Sequence, residues 1–449
     1  MLPGLVSCVL SCLFGPLDPP DRPPPLAFDK QVDYVAWYND FVSRGKKENA
    51  YELYKPLEQN PPGRESVPRP SWRITSEFDE AQRTVWSEED HPRLLTYLQE
   101  NTRFVEVFKR AQERRGYWLP HSPEEGVLLH GPLLQPSGMR STVKIILADA
   151  LREQSNQGDA LIEAWKLVLG NADHLRQSQI GMLVVSGAGS RQSVYELVRM
   201  ALARKVIQGA DIERTFTMII RADPGEAPSA GWCLVEWAAD LDGLQAHCPN
   251  GKLLEVRVER MTDPVHHEGG GPPEIRFDDP VVVARLTDEH FTRLCEVLSG
   301  PFGAETAREV RRLDEEQREK LKDRNAAHAM FGPRAHLYDR LLRAEADRRG
   351  TLLCLALQAH KEARGGWPKS LDEIAPPFGR EAMKGLLIDP YSGKQFIYLV
   401  KDGQPLLYSI AADGNDDGGR HDAHWGEGSN GGDFVFWPYQ EPPNARSRR

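Results

Sequence analysis

Residues 335–363 read AHLYDRLLRAEADRRGTLLCLALQAHKEA, and this stretch decides the fold of the last quarter of the chain. Its leucines and alanines recur three and four residues apart, which is the spacing of one face of an α-helix. Gly365 and Gly366 follow after Arg364, and glycine is common where helices end. The stretch therefore predicts one long helix, in which Gly350 is a weak point.

The residues that follow predict a small unit of mixed α and β structure. WPKSLDE at 367–373 has the serine and glutamate spacing of a capping box, which starts a helix. DPYSGK at 389–394 has the composition of a turn. Residues 395–400 and 405–410 flank KDGQ and predict a β-hairpin, and residues 433–437 predict a last strand beside it.

An acidic loop, AADGNDDGG at 411–419, lies between the hairpin and the last strand. Oxygen-bearing side chains at alternate positions, closed by glycine, suit a hard cation such as calcium. An EF-hand does not fit, because His424 stands where its bidentate glutamate would be and a strand precedes the loop. Two interpretations stay open: a calcium-binding loop, and an Asp- and Gly-rich turn that forms without an ion. Clustered aspartates repel unless something neutralises them, which favours calcium.

Over residues 335–437, the order and spacing of these motifs resemble the C-terminal domain of the major pseudopilin of type II secretion. In that family the loop holds calcium that stabilises the subunit. By this resemblance, the predicted metal site consists of Asp413, Asp417 and Asp433 with Asn415, and Asp416 and Asp422 stand in reserve. The sequence does not contain the N-terminal cleavage motif or the long apolar assembly helix of pseudopilins, so pilus formation is not implied.

The region from about residue 74 to residue 215 has a helical pattern. Apolar residues from Leu94 to Phe108 are spaced for one amphipathic helix. Residues 143–151 and 160–169 flank a polar turn and predict a helical hairpin. No 34-residue period is found, so a regular repeat array is not expected. The expected fold is mainly α, with irregular antiparallel helical hairpins followed by the small α+β pseudopilin-like module and its short antiparallel sheet.

Residues 228–333 are expected to be a mixed α/β segment that ends in a charged helix. LLEVRVE at 253–259 alternates like a strand, and PVVVARL at 280–286 predicts a second strand or an extended run. The loop between them contains HHE at 266–268, but adjacent side chains diverge and the HExxH spacing of a zinc site is missing. We therefore expect a glycine-rich connector in this loop, with metal binding as the alternative.

Catalytic signatures are lacking in the sequence, which has no GxSxG elbow, SxxK set or kinase motif. GAGS at 187–190 lacks the third glycine of a dinucleotide loop and the Gly-Lys of a phosphate loop. These glycines are expected to permit close helix packing or to mark a break. Glu236 and Asp240 are one helical turn apart and could form an acid–base pair. They are better explained as the wet, solvent-exposed face of an amphipathic segment whose other face buries Trp232 and Leu234.

Length and charge limit the classes of protein to consider. At 449 residues, the chain exceeds what one hydrophobic core usually supports, so two or three domains are expected. The net charge of −10 provides no basic field, so nucleic acid is not an expected partner. The arginine pairs at 311–312 and 348–349 lie among acidic residues and indicate solvated helix faces. The expected segments are an apolar leader and proline-rich tether (1–28), a helical body (29–227), the mixed segment (228–333), the pseudopilin-like module (334–437) and a disordered tail (438–449).

Residues 2–17 are nearly uncharged and apolar, like the core of a signal peptide, and a proline-rich tether follows them. The lysine or arginine expected before such a core is missing. Two interpretations stay open: export or membrane tethering by this segment, and an apolar arm that packs on the protein itself. If the protein is exported, Cys233 and Cys248 could pair, but scattered buried thiols are the preferred interpretation.

The whole chain, including YWLP at 117–120, is also similar to large bacterial proteins common in planctomycetes that join a helical body to this kind of tail. That resemblance implies the architecture and a place outside the cytoplasm, but no activity. We therefore expect a non-enzymatic extracytoplasmic binding or scaffold protein with structural calcium and another protein as its partner. The alternative, from another class, is a hydrolase with its active site in residues 228–300.

Overall fold

The computed structural model describes residues 22–59, 77–78, 80–122, 128, 137–153, 156–225, 230–248, 251, 279–321, 334–374, 383, 385–427 and 431–441. Within these residues, the protein is mainly helical, with one three-stranded antiparallel sheet near the C-terminus. The expected fold class is therefore confirmed.

The helices and strands are numbered here in chain order. The helices are α1 (Tyr34–Ser43), α2 (Tyr51–Gln59), α3 (Pro92–Glu100), α4 (Thr102–Ala111), α5 (Ser137–Ala150), α6 (Gln157–Gln177), α7 (Gly181–Ala203), α8 (Ala210–Ala222), α9 (Gly231–His247), α10 (Pro280–Leu298), α11 (Ala304–Leu321) and α12 (Arg334–Arg364). The strands are β1 (Ile397–Lys401), β2 (Gln404–Ser409) and β3 (Phe434–Trp437).

The helical hairpin predicted at residues 143–169 is present as α5 and α6, which pack on each other. Ile146 of α5 and Trp165 of α6 belong to one continuous hydrophobic core. Helix α6 also packs along α7, and α7 in turn packs along α12. The body is therefore a stack of helices whose inner members are covered on more than one side.

The stretch from Leu94 to Phe108 forms two helices, so the prediction of a single helix was wrong. Helix α3 ends and α4 begins at Asn101, where φ is −99° and ψ is 5°. The Asn101 side-chain amide donates a hydrogen bond to the carbonyl of Tyr97 at 2.7 Å. Asparagine side chains compete with the helical backbone in this way, and Asn101 separates two helices that each bury apolar residues.

The glycines of GAGS at 187–190 lie inside α7. A Cβ added at Gly187 would lie 2.8 Å from the carbonyl oxygen of Ala172 on α6, whereas Gly189 faces open space. Gly187 therefore permits the close approach of α6 and α7, which is the packing role expected from the sequence.

Helix α12 is the longest described helix, with 31 residues, and it ends before Gly365 as predicted. One side of it packs on α7, α8 and α11, and another packs on β2 and β3. Gly350 is not a weak point. The helix continues through it, and a Cβ added there would lie 2.4 Å from ring carbons of Phe436 on β3. The small residue lets the sheet approach α12, so this one helix serves both the body and the C-terminal module.

The sheet has the order β1-β2-β3, and both pairings are antiparallel. The hairpin pairs Lys401 with Gln404 across Asp402 and Gly403, which have φ values of +51° and +73°. Two positive φ values are typical of the tight hairpin turn that matches the twist of the strands. Strand β3 pairs with β2, so the predicted hairpin and last strand are both confirmed.

The predicted capping box is not formed, because Ser370 does not cap the helix and Glu373 accepts from the residue before Ser370. The residues after Ser370 make a short 3-10 helix, Leu371–Glu373, and the Ser370 side chain makes no capping hydrogen bond. The Glu373 carboxylate accepts from the backbone N–H of Lys369 at 2.8 Å. A single turn offers few free N–H groups, so the glutamate alone fixes the entry of the chain.

The strand predicted at 280–286 is wrong, because these residues begin α10. Asp279 caps the helix by accepting from the N–H of Val281 at 3.0 Å, and Pro280 occupies the first turn. Proline is suited to this position because its missing N–H has no helical partner there. The β-branched valines suggested a strand, but burial of the whole helix face decides the outcome. Residues 253–259 and the HHE loop at 266–268 lie outside the described residues.

The described cysteines, Cys233, Cys248, Cys295 and Cys354, are all buried, as expected, but they are not all scattered, because the sulfur atoms of Cys233 and Cys295 are 3.4 Å apart. The pairing of Cys233 with Cys248 is wrong. These residues lie at opposite ends of α9, and at 1.5 Å per residue they are roughly 22 Å apart along the axis. A disulfide requires Cα atoms closer than about 7 Å.

The two ends of the chain are described only in part. The apolar leader at 2–17 lies outside the described residues, and among those that are described no helix is long and apolar enough to cross a membrane. In the predicted tail, Glu441 pairs with Arg204 at 2.6 Å, and residues 442–449 lie outside the described part.

Candidate functional site

The acidic stretch 411–419 belongs to the longer connection between β2, which ends at Ser409, and β3, which begins at Phe434. We call this whole connection the acidic loop from here on. The Trp425 ring stacks on Phe434, with centroids 3.7 Å apart and planes 9° from parallel. The backbone N–H of Ala412 donates to the Trp425 carbonyl at 3.0 Å. The described part of the loop is therefore closed at its base by an aromatic stack and a backbone hydrogen bond.

Asp413 is the first predicted ligand, and it organises the backbone around itself. One carboxylate oxygen accepts from the N–H of Asn415 at 3.1 Å, and the other accepts from the N–H of Gly432 at 3.1 Å. The side chain thereby joins the two arms of the loop. Each carboxylate oxygen can accept more than one bond, so both retain capacity for a cation.

Asp433 differs from the other acidic residues of the loop because it is fully buried, with 0% exposure. Its Oδ2 accepts from the N–H of Gly419 at 2.7 Å, but its Oδ1 is buried without a hydrogen-bond partner. Burial raises the pKa of this carboxyl; the amides of Gly419 and Asp417 lower it, and the charges of Asp416 and Asp417 raise it. An unsatisfied buried oxygen is costly unless a donor or a cation meets it.

Asp417 and Asn415 lie on the exposed side of the loop. Asp417 pairs with Arg420 at 3.1 Å through Oδ1. A Cβ added at Gly431 would lie 2.3 Å from Asp413 Oδ2 and 4.0 Å from Asp417 Oδ2. The space left by this glycine is therefore bordered by carboxylate oxygens from two of the predicted ligands.

The two reserve residues are already engaged. Asp416 accepts from the hydroxyl of Tyr408 at 2.9 Å. Asp422 accepts from the N–H of His424 at 3.0 Å through one oxygen and from the N–H of Gly426 at 2.8 Å through the other. Asp422 therefore holds the shape of the loop with both of its oxygens.

The chemistry of the loop suits a hard cation, but the described residues do not form a complete cage. In the described part of the chain, no three His, Cys, Asp or Glu side chains are grouped so that they could hold a metal ion. The predicted ligands supply oxygen atoms, including the buried Asp433 oxygen that has no hydrogen-bond partner. Beside Gly431 there is also space next to the carboxylate oxygens. An ion would have to draw the exposed Asp417 side chain inward.

A second group of charged residues lies beneath the module, along α12, and the sequence did not predict it. We call it the α12 charge network; it comprises Arg191 and Arg199 of α7, Asp223 after α8, and Arg343, Glu345, Asp347 and Arg348 of α12. All of these side chains are buried. Buried charges are stable only when they are paired, so the partners of each residue are informative.

Arg199 joins α7, α12 and the sheet. Its guanidinium pairs with Asp347 and donates to the hydroxyl of Thr351, both on α12. It also lies 5.7 Å from the ring centroid of Phe434 and 5.6 Å from that of Phe436, within the range of cation–π attraction. Burial raises the pKa of Asp347 to about 6, and Arg199 lowers it. A single cation therefore connects the body to the module.

Asp223 forms the second half of the network. Its carboxylate accepts from the hydroxyl of Tyr195 and lies 3.4 Å from Arg191. Arg348 donates to the Asp223 carbonyl at 2.9 Å. Although burial raises it, the pKa of Asp223 is lowered by the charges of Arg191 and Arg348. Arg348 is only 5% exposed, so the prediction that it lies on a solvated face was wrong.

Arg343 connects the network to the acidic loop. It pairs with Glu427 of the loop and lies 5.9 Å from the centroid of the Trp425 ring. The same ring stacks on β3. The loop is therefore anchored to α12 by a charge and an aromatic contact beside the predicted metal site.

The candidate acid–base pair of α9 lies in a different setting from the one expected. Asp240 is 1% exposed and pairs with Arg334 at 2.9 Å, while Glu236 lies 3.5 Å from the same guanidinium. Burial raises the pKa of Asp240 to about 7, and Arg334 lowers it. The prediction of a wet face was therefore wrong for Asp240, which is an internal partner of α12.

The sequence did carry a signal for these buried charges. The apolar pairs and runs at 341–342 and 352–357 flank the charged residues of α12 in the sequence. Such apolar flanks predict that this part of the helix is buried, and charges within a buried part need counterions from other helices. The signal identifies buried charges, but it does not identify their partners.

These residues can be compared with those of known proteins. No family model matches the chain, and no curated protein or solved structure shows a significant match to it.

Proposed function

We propose that the chain is a non-enzymatic binding or scaffold protein that acts outside the cytoplasm, and that its acidic loop holds a structural calcium ion. The observation that carries the calcium proposal is the buried Oδ1 of Asp433, which has no hydrogen-bond partner. Negative charges of Asp416 and Asp417 act on the same carboxyl. A divalent cation would offset that charge and satisfy the oxygen.

The ligands would be Asp413, Asp417 and Asp433, with Asn415 as a further oxygen donor. Asp413 supports this assignment because it already bridges the two arms of the loop. Asp422 is a poorer ligand because both of its oxygens accept backbone N–H groups. When bound, calcium would supply positive charge to the loop and fix its two arms to each other.

A scaffold role is supported by how the described acidic residues are used. Asp240, Asp347 and Asp223 are all buried in pairs with arginines, where they hold helices together. Such paired groups are typical of structure more than of a substrate cleft. A location outside the cytoplasm is supported by the apolar residues at 2–17, the proline-rich tether and the resemblance to pseudopilins.

Calcium titration of the full chain tests the proposal. The chain is stripped with a chelator and titrated with calcium alone in a calorimeter, and its unfolding temperature is measured with and without calcium. A ligand at 100 times its Kd stabilises the folded state by about 2.7 kcal/mol. We expect binding heat and a higher unfolding temperature for the wild type, and neither for the Asp413→Asn/Asp417→Asn variant.

The matched control is Asp402→Asn, which removes one exposed carboxylate from the hairpin turn away from the loop. It should bind calcium as the wild type does. An absence of heat and of any temperature shift up to millimolar calcium would show that the loop is a turn without an ion. The location is tested separately, by adding protease to cells whose outer envelope has been removed but whose cytoplasmic membrane is intact. A chain outside the cytoplasm should be digested.

A further inference from the structure

We propose that Cys233 and Cys295 form a disulfide bond that joins α9 to α10. Their sulfur atoms are 3.4 Å apart, and the two residues are 62 positions apart in the sequence. Both are buried, with exposures of 0% and 7%. The fold thus brings two distant thiols into direct contact inside the core.

The packing of the two helices fixes this contact. Cys233 lies in the first turn of α9, and Cys295 lies in the last turn of α10. One turn further along each helix, Trp237 stacks on Phe291 with centroids 5.9 Å apart and planes 5° from parallel. Beyond that layer, Leu244 and Val283 share a hydrophobic cluster. The cysteines therefore occupy one layer of a regular antiparallel interface.

This register suits a disulfide because neighbouring layers hold the two backbones in place. A disulfide has an S–S length of about 2.05 Å and tolerates only a narrow range of backbone separations. The sulfur atoms are in contact across the interface, so the bond requires them to approach each other by little more than 1 Å. A shared metal ion is a weaker explanation, because the described residues include no group of three His, Cys, Asp or Glu that could hold one.

The reaction needs an oxidant that is itself a disulfide, either a small molecule or a protein. One cysteine thiolate attacks the oxidant and forms a mixed disulfide, releasing the first thiol of the oxidant. The second cysteine thiolate attacks the mixed disulfide, forms the Cys233–Cys295 bond and releases the second thiol. The two cysteines lose two electrons and two protons, and the oxidant gains them.

Burial determines when this reaction can take place. Desolvation raises the pKa of the Cys233 thiol well above its usual range, with the neighbouring thiol of Cys295 acting in the same direction. The thiolate is the reacting species, so the folded and reduced protein reacts slowly. The bond therefore forms while the chain folds, before the pair is sealed. In the cell, formation of the disulfide rests on the proposed location outside the cytoplasm, where disulfides persist.

Refolding with glutathione tests the disulfide independently of that location. The full chain is denatured, reduced and refolded in a mixture of reduced and oxidised glutathione with a chelator, so that calcium binding has no influence. Free thiols are then alkylated in denaturant, and the chain is digested without reduction and analysed by mass spectrometry. We expect a cross-linked peptide pair containing Cys233 and Cys295, which separates on reduction.

Variants and a second measurement give the test its controls. Cys354→Ser should retain the cross-link, whereas Cys233→Ser should lose it and leave Cys295 alkylated. The oxidised wild type should unfold at a temperature about 5 °C higher than the reduced wild type, because the bond restricts the unfolded chain. The proposal is overturned if folded wild type carries both residues alkylated, or if Cys233 is joined to a different cysteine. Neither result would bear on calcium binding.

Discussion

The acidic loop and the α12 charge network both concentrate charge, but they compensate it differently. Asp413, Asp416 and Asp417 lie within five positions of one another and carry the same sign, and among the described residues the cation that pairs with this cluster at close range is Arg420, which contacts Asp417 at 3.1 Å. In the network, Arg199 and Asp347 are 148 positions apart in the sequence, lie on different helices and neutralise each other. The excess of one sign in the loop is the basis for the calcium proposal, whereas opposite charges from distant helices neutralise each other once the chain is folded.

The largest expected effect comes from breaking the network. Arg199→Ala leaves Asp347 buried without its counterion, and removing one partner of a buried pair costs about 3–5 kcal/mol of unfolding free energy. Chemical denaturation measures this loss. Arg340→Ala, at an exposed position of α12, should change stability by no more than about 0.5 kcal/mol.

Replacing both partners sharpens the same test. Arg199→Met/Asp347→Leu removes both charges and keeps apolar volume, so much of the lost stability should return. If the double variant is as unstable as the sum of the single variants, the pair contributes more than mutual neutralisation, and the comparison with the loop needs revision.

The second effect concerns the loop. With calcium at 100 times its Kd, the wild type should gain about 2.7 kcal/mol over the chelated protein, and Asp433→Asn should gain almost nothing. Asp422→Asn is the control, because Asp422 holds backbone N–H groups in place and is not expected to touch the ion. Equal calcium gains in both variants would exclude Asp433 as a ligand.

The third effect tests the contact between α12 and β3. Gly350→Ala forces a Cβ to within 2.4 Å of the Phe436 ring, and overpacking of this kind costs about 1–3 kcal/mol. Gly189→Ala is a matched control inside α7, where nothing lies within 4 Å. Alanine should stabilise that position by up to about 1 kcal/mol. Unfolding in urea distinguishes the expected loss of stability in Gly350→Ala from the expected gain in Gly189→Ala. Stabilisation by both variants would contradict the close contact between α12 and β3.

The smallest effect is a dependence on pH. Burial raises the pKa of Asp347 to about 6, above the value of about 3.9 in an unfolded chain. The stability that this proton contributes is present below pH 4 and is lost as the pH rises through about 6. The stability of wild type relative to Arg199→Met/Asp347→Leu should therefore fall between pH 4 and pH 6. A flat difference would mean that Asp347 is charged throughout.

Much of the fold could be predicted from the sequence because it depends on residues that are only a few positions apart. The periodic leucines of α12, the turn at Asp402 and Gly403, and the closing strand at 433–437 depend on neighbours a few positions away. The predictions failed where a single side chain or tertiary burial overrode the pattern. Asn101 divided one helix into two, and the valines after Pro280 entered a helix.

The candidate sites divide in the same way. The residues of the acidic loop could be named in advance because they are consecutive, although their hydrogen bonds could not. The unsatisfied oxygen of Asp433 depends on how the two arms of the loop meet, and no spacing rule gives that geometry. The contacts of Arg348 with Asp223 and of Cys233 with Cys295 join distant positions, so they emerge only from the packed helices.

Helix α12 packs both on the helices of the body and on the sheet, so residue 334 is not a boundary between two independently folding parts. A fragment beginning there would expose to water the α12 faces that α7 and α8 cover. A body ending before it would lose the helix that completes its core. Both pieces would be expected to aggregate on their own, and calorimetry of the intact chain should show a single heat-absorption peak in which both parts unfold cooperatively.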